Sequence, residues 1–323
     1  MCTAISWGGE SHYFGRNLDL ERVYAETVTV TPRRYPFRFA RGATDTDHAA
    51  MIGVATVMEG VPLYYDAINE HGLGMAGLNF VGNAHYFEAR PDKINLAPHE
   101  LIPWMLSRCR SAREAADALR DINVWEHRFR PDLPSAPLHW MIADCDESLV
   151  VESMADGLHV YQNPVGVLTN NPPFDFHLQH LALYLNVTAT EPVNRFSNKL
   201  SLAPFSRGMG GLGLPGDVSS TSRFVRAAFA CANATKPTDR MVSVSQFFHI
   251  LGSVEQVEGC VAVGDRWERT QYASCCDTKR GIYYFRTYDD PRITAVRMRR
   301  ENLDGEQLVS YPLWNEASVR LLN

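Results

Sequence analysis

The chain has 323 residues, of which 45% are hydrophobic and 21% charged, proportions that belong to a soluble globular protein and exclude a disordered or fibrous one. Its 31 basic and 37 acidic residues leave a net charge of -6, and no Lys/Arg-rich run is present to follow a phosphate backbone, so nucleic acid is excluded as a partner. No stretch approaches the roughly 18 apolar residues of a membrane helix. The first residues lack the basic and apolar regions of a secretory signal, so the expectations are no membrane partner and a cytoplasmic location.

In chain order, the first strand predicted is Thr27–Thr31 (TVTVT), from its β-branched run. Ser111-Ala112-Arg113-Glu114 is a capping box, with Ser111 placed to accept from the Glu114 amide, and it opens an Ala/Leu-rich helix to about Ile122. Ser148–Met154 and residues 158–162 read as strands, and the intervening Ala155-Asp156-Gly157 is a hairpin signal. A further strand is predicted over 165–169, and helices over about 176–185, 222–232 and 244–251. The glycine-dense segment 208–216 reads as a loop inside a domain. Strands close the chain at Ile282–Thr287 and 293–298. Strands in groups, then helices, then strands favour an α+β layered fold over alternating βαβ units. No repeat or linker interrupts the sequence, so a single domain over 1–323 is expected.

The seven cysteines, Cys2, Cys109, Cys145, Cys231, Cys260, Cys275 and Cys276, are odd in number and form no CxxC, a set that fits reduced thiols, most of them buried. Cys109, Cys145 and Cys231 lack the surroundings of a papain-like or caspase-like nucleophile. Cys275 and Cys276 are adjacent and poorly spaced for joint metal ligation, and neither HExxH nor GxSxG occurs, so no metal and no cofactor are expected.

Cys2 stands apart because removal of Met1 leaves a thiol and an α-amine on one residue. With ordinary pKa values of about 8.5 and about 7.7–8.0, the amine takes the thiol proton near neutral pH at little cost. Tyr13-Phe14-Gly15-Arg16-Asn17-Leu18-Asp19 follows closely, with a guanidinium to favour thiolate and a carboxylate to hold an ammonium. Taken singly, Cys2 is equally an inert second residue, Arg16 and Asp19 a surface ion pair, and Asn79 and Asn170 turn residues.

These residues together carry a resemblance. Met1-Cys2-Thr3 with Phe14-Gly15-Arg16-Asn17-Leu18-Asp19 resembles the choloylglycine hydrolase family, which contains the bile salt hydrolases and penicillin V acylases. The likeness continues at Asn69-Glu70-His71-Gly72-Leu73-Gly74-Met75-Ala76-Gly77-Leu78-Asn79-Phe80, at Val167-Leu168-Thr169-Asn170-Asn171-Pro172, at Leu214-Pro215-Gly216-Asp217-Val218-Ser219-Ser220 with Ser222-Arg223-Phe224, and at Thr287-Tyr288-Asp289-Asp290-Pro291. These blocks fall in family order across nearly the whole chain.

The resemblance implies a four-layer αββα N-terminal-nucleophile hydrolase sandwich with two stacked, mainly antiparallel sheets. It implies Cys2 as nucleophile, Arg16 and Asp19 against its thiol and amine, Asn79 and Asn170 in the oxyanion hole with Asn171 as the fallback, and Arg223 completing the charged site. The implied reaction is hydrolysis of glycine- or taurine-conjugated bile acids through a thioester, without metal or cofactor, by a homotetramer. Leu18, Tyr24 and Met58 are candidates for an apolar groove that takes the steroid, although Leu18 and Tyr24 are equally core residues. Asn79 favours the bile salt branch over penicillin V acylase, and Ser206-Arg207-Gly208 resembles the variant associated with glycine conjugates. The alternatives are a penicillin V acylase or other N-acyl amide hydrolase, and an inactive bile-acid-binding protein.

Overall fold

The computed structural model describes residues 1–9, 11–42, 44–313, 319, 321 and 322; the remainder of the expected 1–323 domain lies outside the described residues. The chain begins with strands β1 (Cys2–Gly8), β2 (His12–Leu20), β3 (Thr27–Thr31), β4 (Met51–Met58), β5 (Val61–Asn69), β6 (Gly74–Asn79) and β7 (Ile94–Leu96). Helices α1 (Leu101–Arg108) and α2 (Ala112–Leu119) follow, then β8 (Ile122–Val124), β9 (Leu138–Ala143), β10 (Ser148–Met154), β11 (Gly157–Gln162) and β12 (Val167–Leu168). Next come α3 (Phe174–His180), α4 (Ser220–Asn233) and α5 (Arg240–Gly252). The chain closes with β13 (Ala262–Val263), β14 (Arg266–Trp267), β15 (Arg269–Asp277), β16 (Ile282–Thr287), β17 (Thr294–Arg297) and β18 (Val309–Pro312).

Two antiparallel sheets dominate: a six-stranded one in the order β12-β1-β2-β15-β16-β17, and an eight-stranded one in the order β11-β10-β9-β6-β5-β4-β3-β18. β1 and β2 of the first sheet face β5 and β6 of the second, α4 and α5 cover the outer face of the first, and α1 and α2 cover the outer face of the second. The expected αββα layering is therefore present.

The middle strands of the second sheet are buried on both faces. Along β4, Ile52 and Val54 join the core shared with the first sheet, whereas Met51 and Ala55 join the core under α1 and α2. Met141 and Ala143 divide in the same way from Trp140 and Ile142 on β9. A strand covered on both sides reads as a continuous apolar run, without the period-two alternation that identifies a half-exposed strand.

Local signals held where the chemistry is local. Ser111 caps α2 and accepts from the Glu114 amide at 3.2 Å, and β10 and β11 form the hairpin signalled by Asp156-Gly157. The β4–β5 turn is a two-residue hairpin in which Glu59 and Gly60 have φ of 53° and 80°, the left-handed pair that matches strand twist.

Several boundaries differ from expectation. α2 ends at Leu119, because Ile122–Val124 pairs in parallel with Ile94–Leu96. The helix expected over 176–185 starts at Phe174 and tightens into a 3-10 turn from Leu181 to Tyr184. α4 and α5 start earlier than expected, at the caps supplied by Ser219 and Asp239. Of the strand expected over 165–169, only Val167–Leu168 pairs, with β1. The strand expected over 293–298 is Thr294–Arg297, after which Met298–Arg300 turns as a 3-10 helix.

β2 is central because both its neighbours are strands, and at Gly15 the β15 backbone leaves no room for a side chain. A Cβ on Gly15 would lie 2.1 Å from the Ser274 carbonyl oxygen, so a side chain there forces the strands apart. Gly15→Ala is expected to lower the urea-unfolding free energy by about 1–3 kcal/mol, the usual cost of overpacking. Unchanged stability would show that β2 and β15 separate freely.

Candidate active site

β1 begins at Cys2 and runs against β2, with Cys2 opposite Leu18, Thr3 opposite Asn17 and Ala4 opposite Arg16. Side chains alternate along a strand, so Cys2, Leu18 and Arg16 share the face toward the second sheet, while Thr3, Asn17 and Asp19 share the face toward the helices. The contacts agree: Arg16 Nη1 donates across the gap to the carbonyls of Tyr65 (3.0 Å) and Gly77 (2.5 Å), and Asn17 Nδ2 donates to the Leu251 carbonyl on α5 at 3.0 Å.

Arg16 is fully buried, and its Nη2 has no hydrogen-bond partner among the described residues. Burial works against its charge, but the Cys2 sulfur, Tyr272, Asp66 and Asp19 together hold its pKa above the usual arginine range. Asp66, also fully buried, accepts from the hydroxyls of Tyr272 (2.5 Å), Tyr283 (2.6 Å) and Ser274 (3.2 Å). Burial pushes the Asp66 carboxyl up, opposed by Arg16 and by these donors.

On the helix side, Arg223 of α4 is fully buried and donates Nη1 to the Cys2 carbonyl (2.5 Å) and Thr3 Oγ1 (2.6 Å), and Nη2 to Asn170 Oδ1 (2.8 Å). Its Nη1 also stands 3.9 Å from Asp19 Oδ2. Asp19 Oδ1 accepts from Thr270 Oγ1 at 2.6 Å, and Oδ2 has no hydrogen-bond partner among the described residues. Burial raises the Asp19 pKa against Arg223, the chain's α-ammonium, Thr270 and Arg16. Burial lowers that of Arg223 against Asp19, Cys2 and Glu268. A guanidinium nevertheless stays protonated at any working pH.

Asn170 joins the parts. Its Oδ1 accepts from the Cys2 N–H at 2.8 Å as well as from Arg223, and its Nδ2 donates to the Asn79 carbonyl at 2.7 Å. Two donors facing the oxygen fix the amide orientation. Asn171 instead donates to the Val81 carbonyl at 2.7 Å, so of the two adjacent candidates Asn170 is the one at Cys2. The Asn79 side chain has no protein hydrogen bond among the described residues. The Met1 nitrogen donates to Glu268 Oε1 (2.6 Å) and the Asp19 carbonyl (2.8 Å), so with Met1 attached the Cys2 nitrogen is a peptide N–H.

Of the groove candidates, Leu18 is buried directly opposite Cys2. Tyr24 is 40% exposed, and its carbonyl accepts from Thr56 Oγ1 at 3.1 Å, which fastens it near the end of β4, where Met58 lies half-buried. The sequence reading does not single out Glu268, Thr270 or Ser220. Each reaches its partner across a long separation, 251 residues for Thr270 and Asp19, and no local motif marks such a pairing.

A four-layer αββα sandwich with a cysteine at the start of a strand of the first sheet, beside buried guanidinium and carboxylate groups, has the architecture of the N-terminal-nucleophile hydrolases. Residues 2–311 match the family of linear amide C-N hydrolases, choloylglycine hydrolase family. The chain is 51% identical, over all of both chains, to the bile salt hydrolase/transferase of Lactiplantibacillus plantarum, and 36% identical to the conjugated bile acid hydrolase of Lactobacillus acidophilus, over 96% of this chain and 100% of that one. The crystal structure of a mutant conjugated bile acid hydrolase from Clostridium perfringens superposes with a TM-score of 0.92 at 33% identity, covering 100% of each chain. Penicillin V acylase from Agrobacterium tumefaciens shares the fold, with a TM-score of 0.77 at 20% identity over 96% of this chain and 90% of that one. The chain belongs to the choloylglycine hydrolase family and is an enzyme, an amidohydrolase of linear amides.

Two buried histidines, His177 beneath Asn170 and His12 at the far end of β2, have their pKa pushed by burial from 6.5 to about 4. An unfolded chain protonates them near 6.5 and the folded chain only near 4, so the stability they permit is complete above pH 6.5 and is lost as pH falls toward 4. Each contributes a slope of up to ~1.4 kcal/mol per pH unit in that window. Urea titrations from pH 7 to 4 are expected to show the fall, and His12→Asn to flatten it; an unchanged slope in His12→Asn excludes His12 as a contributor.

Proposed function

We propose that the enzyme cleaves the amide of glycine- or taurine-conjugated bile acids, releasing the free bile acid and the amino acid, with Cys2 as an N-terminal nucleophile exposed by removal of Met1. The observation that carries this reading is the environment of Cys2. Its nitrogen lies 2.8 Å from Asn170 Oδ1, and its side chain shares a face with the buried Arg16. The relatives support the substrate class, since those at 51% and 36% identity are named for bile salts and conjugated bile acids.

In the proposed reaction the α-amine of Cys2 takes the thiol proton, and the sulfur attacks the amide carbonyl to form a C–S bond. The side-chain amide of Asn79 and the second hydrogen of Asn170 Nδ2 serve the oxyanion. The C–N bond then breaks as the ammonium returns its proton to the departing glycine or taurine nitrogen, leaving a thioester. Water, deprotonated by the same amine, hydrolyses the thioester and regenerates the thiol. Arg16 favours the thiolate, Asp19 Oδ2 receives an N–H of the freed amine, and Arg223 holds Asn170 and the Cys2 carbonyl in place. The steroid lies against Leu18, Tyr24 and Met58, whose apolar surfaces suit it.

A cytoplasmic homotetramer is part of this proposal. Among the described residues no helix is long and apolar enough to cross a membrane. Leu183, Leu185, Phe196, Phe205 and Leu212 are exposed between α3 and α4, and further copies of the chain would cover them. Sedimentation of a monomer at micromolar concentration would remove the assembly from the proposal.

Protein shown by intact mass to lack Met1 is expected to release glycine from glycocholate or taurine from taurocholate faster than it cleaves penicillin V; release from none of the three defeats the reading. Cys2→Ser is expected to lose at least ~10³-fold in kcat while keeping its fold. Asn79→Ala is expected to lose about 10²–10³-fold, as for one oxyanion donor. A form carrying an untrimmable N-terminal extension is expected to be inactive, and full activity in it would exclude the α-amine as base.

A further inference from the structure

We propose that a buried pair, His139 and Glu152, acts together with His177 as the positioning device that aims Asn170 at the Cys2 nitrogen. The proposal rests on the reading of Cys2 as nucleophile. All three side chains are fully buried, on β9, β10 and α3. His139 Nδ1 lies 3.0 Å from Glu152 Oε1, and its Nε2 lies 2.9 Å from the carbonyl oxygen of Thr169. The Glu152 carboxyl also accepts the first amide of α3, Phe174 N–H, at 3.1 and 3.2 Å. His177 Nε2 meets the next carbonyl, that of Asn170, at 2.9 Å.

β12 ends at Leu168, so Thr169 and Asn170 have left the ladder, and their carbonyls and the Asn170 N–H go to side chains. The two successive carbonyls end on the two imidazoles, and the Asn170 N–H donates to Ser220 Oγ at 2.8 Å on the first turn of α4. The rings are held in turn: His139 stacks on Phe80 at 4.2 Å and 6°, one residue beyond Asn79, and His177 stacks on Phe224 at 4.6 Å, one residue beyond Arg223. Each imidazole is thus locked beside a residue that touches Asn170, and the Asn170 amide points at Cys2 only while both carbonyls stay seated.

Protonation specifies the pair further. Both nitrogens of His139 face oxygen acceptors, whereas a neutral imidazole carries one N–H. The tautomer with its hydrogen on Nε2 serves the Thr169 carbonyl and leaves Nδ1 as an acceptor facing position 152. Gln at position 152 reproduces this arrangement, since its amide oxygen accepts from Phe174 N–H and its amide nitrogen donates to Nδ1. Leu at position 152 does not, and it leaves Phe174 N–H unpaired.

The test measures kcat and KM on glycocholate, together with melting temperature, for His139→Phe, Glu152→Leu, Glu152→Gln and Asn170→Ala, and for His139→Phe combined with Asn170→Ala. Outer partners that orient a functional group typically matter ~10–100-fold. His139→Phe and Glu152→Leu are each expected to lose that much in kcat with KM within about twofold, and Glu152→Gln to stay within about threefold of wild type. In the Asn170→Ala background, His139→Phe is expected to cost almost nothing more, because its effect runs through the missing amide. Should His139→Phe fail to fold, His177→Phe, which keeps the ring stack and removes only the donor to the Asn170 carbonyl, carries the same expectations. Wild-type kcat in these variants, a full additional loss in the Asn170→Ala background, or a loss confined to KM overturns the proposal. Turnover that survives in Cys2→Ala would instead fault the assignment of the nucleophile and is read separately.

Discussion

Two guanidinium groups with no exposed surface govern this molecule: Arg16 between the sheets and Arg223 between the first sheet and α4. Burying such a charge costs several kcal/mol unless fixed acceptors replace the lost water. Here the acceptors are largely backbone. Arg16 ends on the carbonyls of Tyr65 and Gly77, so β2 sits at a set height over β5 and β6. Arg223 ends on the Cys2 carbonyl, Thr3 and Asn170, so α4 is tied to β1 and to the loop after β12. The four layers meet around β1 and β2 because the two cations leave them few other arrangements.

The same burial explains what could be read from the residues alone. The α2 cap, the β10–β11 hairpin and the αββα class were legible, since capping boxes, Asp-Gly turns and family blocks are local signals. β2 was not, although it lies at the centre of the structure. The polar groups of Arg16, Asn17 and Asp19 leave this segment open between a short strand and a turn, and their partners come largely from distant elements, β5, β6, α4, α5 and β15. β4 and β9 escaped for the opposite reason, being apolar on both faces and so lacking a period. At the site, the fold brings Cys2, Arg16, Asp19, Asn170 and Arg223 together, with the Asn79 carbonyl on Asn170 Nδ2. Glu268, Thr270, His139, Glu152 and His177 were not legible, because each meets its partner only across the fold.

Charge placement around Cys2 bears directly on the proposed chemistry. Moving a proton from the thiol to the α-amine of the same residue leaves the net charge unchanged, so the buried site need not accommodate a new charge overall. What decides the position of that proton is how neighbouring charges are distributed between the two atoms. Arg16 lies on the side-chain face, its Nη2 without a hydrogen-bond partner among the described residues, while Asp19 lies on the opposite face and Glu268 accepts from the Met1 nitrogen. Asp66 interacts with Arg16 and accepts from the hydroxyls of Tyr272, Tyr283 and Ser274. The polarity of the site is therefore set by which face of a single hairpin each residue occupies. A one-residue slip of β2 against β1 would carry Arg16 to the helix side and reverse it.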